Sequence, residues 1–251
     1  MFKAKIGNKM GWQIFTHSVR LVWANLGVAL RISALLYIIS AAFQVWAQVS
    51  GFGTMEDGVP NTEGAGIQFI GTIVSVMTSL WIAVAWHRYI LLEEEPDGFL
   101  PNWNGGRMAA YFGRSILIGL AMVAVIIVAS LPIAIGLQGP LAAAILSVGS
   151  IFAVFLFYRL CAILPSAAVG EPLTMSAAWK ATEGTTGTIF VIILCMIGGL
   201  ILLVLPGAIL ASISLMLGII YMVAAQWFIT MFGISLFTTF YGYFIEKREL
   251  S

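Results

Sequence analysis

The sequence predicts an all-α polytopic membrane protein, with six transmembrane helices in three hairpins and amphipathic helices at the cytoplasmic interface. Three observations predict it. The 251 residues are 61% hydrophobic and 9% charged, with a mean hydropathy of +1.01, whereas a soluble domain carries roughly a quarter charged residues. Residues 32–55, 64–86, 115–158 and 184–245 contain no Asp, Glu, Lys or Arg, and a helix needs only about 20 apolar residues to cross a hydrocarbon core of roughly 30 Å. Finally, all 12 Lys and Arg fall on one side of a six-span arrangement, which the positive-inside rule makes cytoplasmic.

The elements follow in chain order. Within the cytoplasmic N-terminus (1–26), Trp12, Phe15, Val19, Val22, Trp23 and Leu26 recur at helical spacing while Gln13, His17 and Arg20 share the opposite face. This is the pattern of a helix lying in the interface, anchored by Trp12, Phe15 and Trp23. Asn25 and Gly27 then turn the chain into the membrane. The first apolar segment lies too far in, and is too long, for a cleaved signal peptide. The third charge-free run is twice the length of one span and is punctuated at Gly136-Leu137-Gln138-Gly139-Pro140, a turn between two helices. The fourth is punctuated at Pro206-Gly207, where a second such turn is expected. The spans predicted are 28–49, 66–91, 114–136, 141–163, 187–206 and 211–239. They form one integral-membrane domain over 1–251, with a bundle at 27–245 and a cytoplasmic tail at 246–251.

In this arrangement Lys3, Lys5, Lys9, Arg20, Arg31, Arg88, Arg107, Arg114, Arg159, Lys180, Lys247 and Arg248 are cytoplasmic. The first outer loop carries only Glu56, Asp57 and Glu63. Each hairpin follows a segment of mixed polarity. In the third such segment Pro172 suits a first helical position, Ser176, Lys180 and Glu183 share a face, and Gly184 marks the end. The segment at Trp103 to Gly113 is shorter. Leu131-Pro132-Ile133-Ala134-Ile135 matches Leu205-Pro206-Gly207-Ala208-Ile209, and His87-Arg88-Tyr89 parallels Tyr158-Arg159-Leu160. Together these suggest a threefold repeat of interfacial helix plus hairpin, although matches this short can also arise by chance in so apolar a chain.

The third segment also carries a motif. Pro165, Glu171 and then Trp179-Lys180-Ala181-Thr182-Glu183-Gly184 resemble the signature of the integral-membrane domain found beside bacterial glycerophosphodiester phosphodiesterases and in stand-alone bacterial membrane proteins. Ala178 stands where that family often has Ser, and Ala181 where it often has Leu; Trp179, Thr182 and Gly184 match. The resemblance implies a bacterial inner-membrane protein and does not imply catalysis, because the family's chemistry resides in a separate soluble domain.

Individual residues point the same way. The two cysteines, Cys161 and Cys195, lie in apolar runs outside any metal-binding spacing and are expected to be reduced, buried thiols. No catalytic residue, cofactor or metal is expected. His17 and His87 sit at helix boundaries, where snorkelling explains them. Glu93-Glu94-Glu95 with Asp97 reads as a solvated loop. Arg31, Arg88, Arg114 and Arg159 fall at the cytoplasmic boundary, either as snorkelling anchors or as a basic ring holding an anionic lipid head group. Of Gln44, Gln48, Gln68, Gln138 and Gln226, only Gln226 looks deep, and one glutamine more often bonds a neighbouring helix than lines a pore. Trp227 reads as packing; Ala143, Ser147, Ser150, Gly198 and Gly199 read as close helix contacts. Net charge of +1 gives no field for nucleic acid. The expected partners are membrane lipids, other membrane proteins or a second copy. The function expected is a non-enzymatic accessory, scaffold or envelope-maintenance protein, with a transporter or lipid translocator for apolar or amphipathic cargo as the alternative.

Overall fold

A computed structural model describes residues 2–56 and 59–250, and the side chains of these apart from 2–8 and 56. Asp57, and the side chains of Lys3, Lys5 and Glu56, therefore lie outside the described residues. The fold is all-α, with six helices long and apolar enough to cross a membrane. In chain order the elements are α1 (Phe2–Ala24), α2 (Leu26–Ser50), a two-residue antiparallel ladder β1 (Met55–Glu56) and β2 (Val59–Pro60), α3 (Ala65–Leu92), α4 (Gly105–Ala134), α5 (Pro140–Leu160), α6 (Ile163–Val169), α7 (Met175–Ala181), α8 (Thr186–Ile213) and α9 (Leu215–Phe244).

Turn chemistry accounts for most boundaries. Between α1 and α2 the break falls at Asn25, whose side-chain amide donates to the Leu21 carbonyl (2.9 Å), while its own carbonyl accepts from Ala29. Gly27 is not part of the turn; it lies inside α2. Between α4 and α5, Gly136 (φ 98°) and Gly139 (φ 77°) take left-handed conformations that favour glycine, and Pro140 opens α5 at its first position, where its missing N–H costs nothing.

Two expected boundaries move. Pro206 lies inside α8, which runs on to Ile213, and the chain reverses at Ser214 instead of at Pro206-Gly207. A proline removes one helix hydrogen bond, but in an apolar medium leaving the helix would strand several backbone groups, so the helix persists. At the turn Ser214 donates to Leu210 and its carbonyl accepts from Gly218. Pro172 is also not a helix start: α7 begins at Met175, capped by the Thr174 hydroxyl accepting from the Ala177 N–H (3.1 Å). The segment at 103–113 forms no helix of its own, because α4 begins at Gly105 and continues as the span.

The chain divides into two compact units. Unit 1 comprises 1–19, 105–196 and 236–251; unit 2 comprises 20–104 and 197–235. The core of unit 1 gathers Ile14, Tyr158, Cys161, Ile189, Ile192, Leu236, Phe240 and Phe244. In it Ser18 donates to Thr239 (3.0 Å), tying α1 to α9. Within unit 2, Ser40 and Thr78 pair their hydroxyls across α2 and α3, and Trp227 Nε1 donates to Ser33 Oγ (2.7 Å) across α9 and α2. Trp227 is therefore an interhelical donor as well as a packing residue.

Each hairpin also has a glycine at its crossing. A methyl group on Gly71 would overlap Phe43, one on Gly149 would overlap Ala129, and one on Gly207 would overlap Met222. Close backbone approach of this kind drives helix association in lipid, where the hydrophobic effect does not distinguish helix from solvent. The small residues expected at these contacts are displaced by about one position. Ala142, Gly149 and Ala153 face protein on α5, while Ser147 and Ser150 are exposed and bond their own helix. Gly198 has nothing within contact distance.

The N-terminal helix shows a similar shift. Its protein-facing stripe is Gly11, Ile14, Ser18 and Val22, whereas Trp12 and Trp23 are 56% and 58% exposed. Val22 thus leaves the outward stripe, and Ile14, absent from both predicted faces, is fully buried. Cys161 is buried as expected, but Cys195 is only half-buried.

Candidate functional site: arginine-bearing helix ends and an amide-lined groove

Of the four boundary arginines, Arg88 is fixed by a carboxylate and the other three by neutral partners. In unit 2, Arg31 on α2 donates from Nε to the Gly98 carbonyl (2.8 Å) and from Nη2 to the Pro96 carbonyl (2.6 Å). Arg88, in the last turns of α3, pairs with Glu94, its Nε donating to Oε2 at 2.7 Å. The other Glu94 oxygen accepts from Asn102 (3.3 Å) and Asn104 (3.2 Å). The hydrogen bond from Arg88 holds the Glu94 carboxyl below the usual carboxylate range, outweighing the opposing push of burial. Trp81 donates from Nε1 to the carbonyls of Pro101 and Asn102 and meets Trp103 edge-on at 4.8 Å.

Glu94 therefore corrects the reading of this loop as merely solvated. Glu93, Glu95 and Asp97 are exposed, but Glu94 is the hub that binds the end of α3 to the start of α4. Nothing in a run of acids singles out its middle member; the partners at 102 and 104 become visible only once the loop closes.

In unit 1, Arg114 on α4 donates from Nη1 to the Ile163 carbonyl (3.0 Å) and to Ser166 Oγ, clasping α6. Arg159, at the end of α5, is 5% exposed. Its Nη2 donates to the Trp179 carbonyl (2.7 Å) and its guanidinium stacks over the Trp179 ring at 4.1 Å. Thr182 completes the clasp by donating to the carbonyls of Arg159 (3.3 Å) and Ala178 (2.9 Å), and Gly184 takes φ 75° beyond it. Trp179, Thr182 and Gly184, matched above by motif, thus act locally to seat α7 on the end of α5. Among the described residues no carboxylate bonds to Arg159, and Glu183 acts on it only at longer range.

The anchors Trp12, Phe15 and Trp23 meet other aromatic rings. Trp12 stacks on Phe15 (5.9 Å) in unit 1, and Trp23 lies against Phe228 (5.5 Å) in unit 2. Both tryptophans keep an outward face suited to lipid head groups. His17 is half-buried, and His87 is fully buried in α3 instead of snorkelling. Among the described residues, no three His, Cys, Asp or Glu side chains come together as a metal-binding group.

One convergence was not legible from spacing along a single helix. Gln44 and Gln48 of α2 and Gln226 of α9 line one groove in unit 2, with the Tyr37 hydroxyl donating to the Val223 carbonyl (2.8 Å) at its wall. Gln226 is thus not a lone intramembrane amide.

Six long apolar helices in hairpins, with polar clasps at their arginine-bearing ends, define a multi-pass integral membrane protein. Comparison with family models, curated proteins and solved structures found no match for the chain.

Proposed function

We propose that the protein is a non-enzymatic component of a bacterial inner membrane. In this reading it is an accessory, scaffold or envelope-maintenance protein that meets lipids and other membrane proteins through its helix faces and interfacial segments, with both termini cytoplasmic. The observation that carries the reading is the outward face of α4. Leu120, Val123, Ile127 and Leu131 form an exposed apolar stripe at helical spacing, with Leu120 62% and Ile127 55% exposed. Fully apolar stripes of this kind are surfaces for acyl chains or for other membrane helices, including those of a second copy. The one-sided placement of Lys and Arg supports the orientation, and the Trp179-Thr182-Gly184 motif supports the bacterial inner-membrane assignment.

The amide-lined groove favours a second reading, a translocator of amphipathic lipid, because transporters place polar groups along an otherwise apolar path. Site-specific photo-crosslinking in cells separates the two. With a photoreactive residue at Leu120 or Ile127, the scaffold reading expects discrete protein adducts. Adducts to lipid alone there, together with lipid adducts from a photoreactive residue at Gln226 in the groove, would contradict the scaffold role and favour the translocator.

A further inference from the structure

Three glutamines far apart in sequence meet in unit 2, and their setting specifies a ligand. Gln44 and Gln48 stand one turn apart on α2 and Gln226 stands on α9; with Tyr37, Val45 and Val223 they line a groove of about 180 Å³. It shares Val45 and Val223 with a shallower and almost wholly apolar trough of about 630 Å³ that is also lined by Trp46. At about 1.5 Å per residue, Gln44 lies roughly 9 Å from the Ser50 end of α2 and Gln226 roughly 16 Å from the Leu215 start of α9. Gln48 lies only about 3 Å from the Ser50 end, so the three amides, all exposed along the groove, step from the helix end into the apolar part of the spans.

None of these three side chains hydrogen-bonds to the protein among the described residues. An amide left without partners in hydrocarbon is costly, so an occupant that donates and accepts hydrogen bonds is favoured. No Lys, Arg, His, Asp or Glu lines the groove or the trough, so nothing there selects a charged head group. At about 30 Å³ per water the groove has the volume of about six waters. That suits a glycerol backbone with its ester carbonyls, while the adjoining trough suits an acyl chain.

We propose that this groove binds a neutral glycerolipid, with its hydroxyl and ester carbonyls on Gln44, Gln48 and Gln226 and an acyl chain along Val45, Val223 and Trp46. The assignment deepens the lipid-contacting reading above and rests on it. Crosslinking from α4 reports on that reading separately, so a failure of the groove leaves the α4 adducts unchanged.

The test is native mass spectrometry of the full chain in detergent, titrated with dioleoylglycerol and, in parallel, dioleoylphosphatidylglycerol. Dioleoylglycerol is expected to bind the unmodified chain and to bind about threefold more weakly after Gln44→Leu or Gln226→Leu, the usual size of one intramembrane polar contact. Gln138→Leu, outside the groove, should leave it unchanged, and phosphatidylglycerol retention should not respond to the groove substitutions. Val45→Trp, which fills the groove and leaves every amide in place, should block dioleoylglycerol. Absence of dioleoylglycerol binding, or binding indifferent to all three groove variants, would overturn the proposal. A dimer lost in Gln44→Leu and Gln226→Leu with lipid retention unchanged would overturn it too, and assign the amides to self-association.

Discussion

Arg88 and Arg159 occupy corresponding places in the two units, each closing the second helix of a hairpin, yet they are held in opposite ways. Unit 2 gives Arg88 a carboxylate and builds a loop around the resulting pair. Unit 1 buries Arg159 against a neutral carbonyl and an indole face. The local sequences, His87-Arg88-Tyr89 and Tyr158-Arg159-Leu160, do not foretell this difference. What decides it is the segment that follows: an acidic loop after α3, and the α6–α7 pair carrying Trp179 after α5. Arg88 and Arg159 are thus equivalent in position and different in electrostatics, with a bonded carboxylate beside Arg88 and neutral partners around Arg159.

The largest expected effect lies at the buried site. Arg159→Gln removes the stack and the bond to Trp179 and should lower stability in detergent by about 2 kcal/mol, the scale of a desolvated cation–π contact. Arg88→Gln, breaking a part-buried pair whose carboxylate keeps its two amide donors, should cost less, about 1 kcal/mol. Equal losses in thermal or denaturant unfolding would remove the distinction between the units. Retention of phosphatidylglycerol should follow the same order, falling with Arg159→Gln and little with Arg88→Gln, because Glu94 already neutralises Arg88.

An intermediate effect concerns Trp227 in unit 2. Trp227→Phe keeps the ring and loses the bond to Ser33, which should cost about 1 kcal/mol, within the range of interhelical hydrogen bonds in membranes. Unfolding unchanged by the substitution would show that the contact is packing alone.

A smaller effect separates the units by pH. The Glu94 carboxyl titrates below its ordinary range in the folded protein. Its contribution is therefore present above the unfolded carboxylate range and is lost as pH falls through the lowered folded value. The Trp81–Trp103 pair reports on this loop, so acidification should change tryptophan fluorescence in the unmodified chain. Glu94→Gln should show the low-pH signal at every pH. The Arg159 clasp has no bonded carboxylate among the described residues and should respond far less over that range; if it loosens in parallel with the loop, the two sites share a cause that the bonding does not show.

The smallest effect is a gain. Both units place glycine at most of their left-handed positions, such as Gly64 in unit 2 and Gly170 and Gly184 in unit 1, yet α3 closes with Glu93 at φ 56°. Glu93→Gly should stabilise by about 0.5 kcal/mol, since only glycine takes that conformation without strain. Destabilisation instead would mean that the Glu93 side chain has a role its exposure does not reveal.

Much of the fold was legible because lipid imposes strong rules. Long charge-free runs must be helices, and Gly136, Gly139 and Pro140 leave little choice of turn. Features set by tertiary contact were not legible. The stripe of α1 that meets protein is Ile14, Ser18 and Val22, since polarity alone cannot tell a face that meets protein from one that meets lipid when both are apolar. Pro206 signals a break only in water, where a helix interrupted by proline can hand its carbonyls to solvent. The grouping of the glutamines is invisible in the sequence, because residues on α2 and α9 have no sequence relation that would pair them. The role of Glu94 was hidden for the same reason.

The central claim, six crossings with all arginine-bearing helix ends on the cytoplasmic side, is tested most directly by labelling single cysteines in intact cells. In a chain with Cys161 and Cys195 replaced by Ala, the exposed positions Thr62, Phe99 and Glu171 would each be changed to Cys and challenged with a membrane-impermeant maleimide. The account predicts that Thr62→Cys reacts from outside, while Phe99→Cys and Glu171→Cys react only after the membrane is opened. Labelling of Phe99→Cys or Glu171→Cys in intact cells would contradict it.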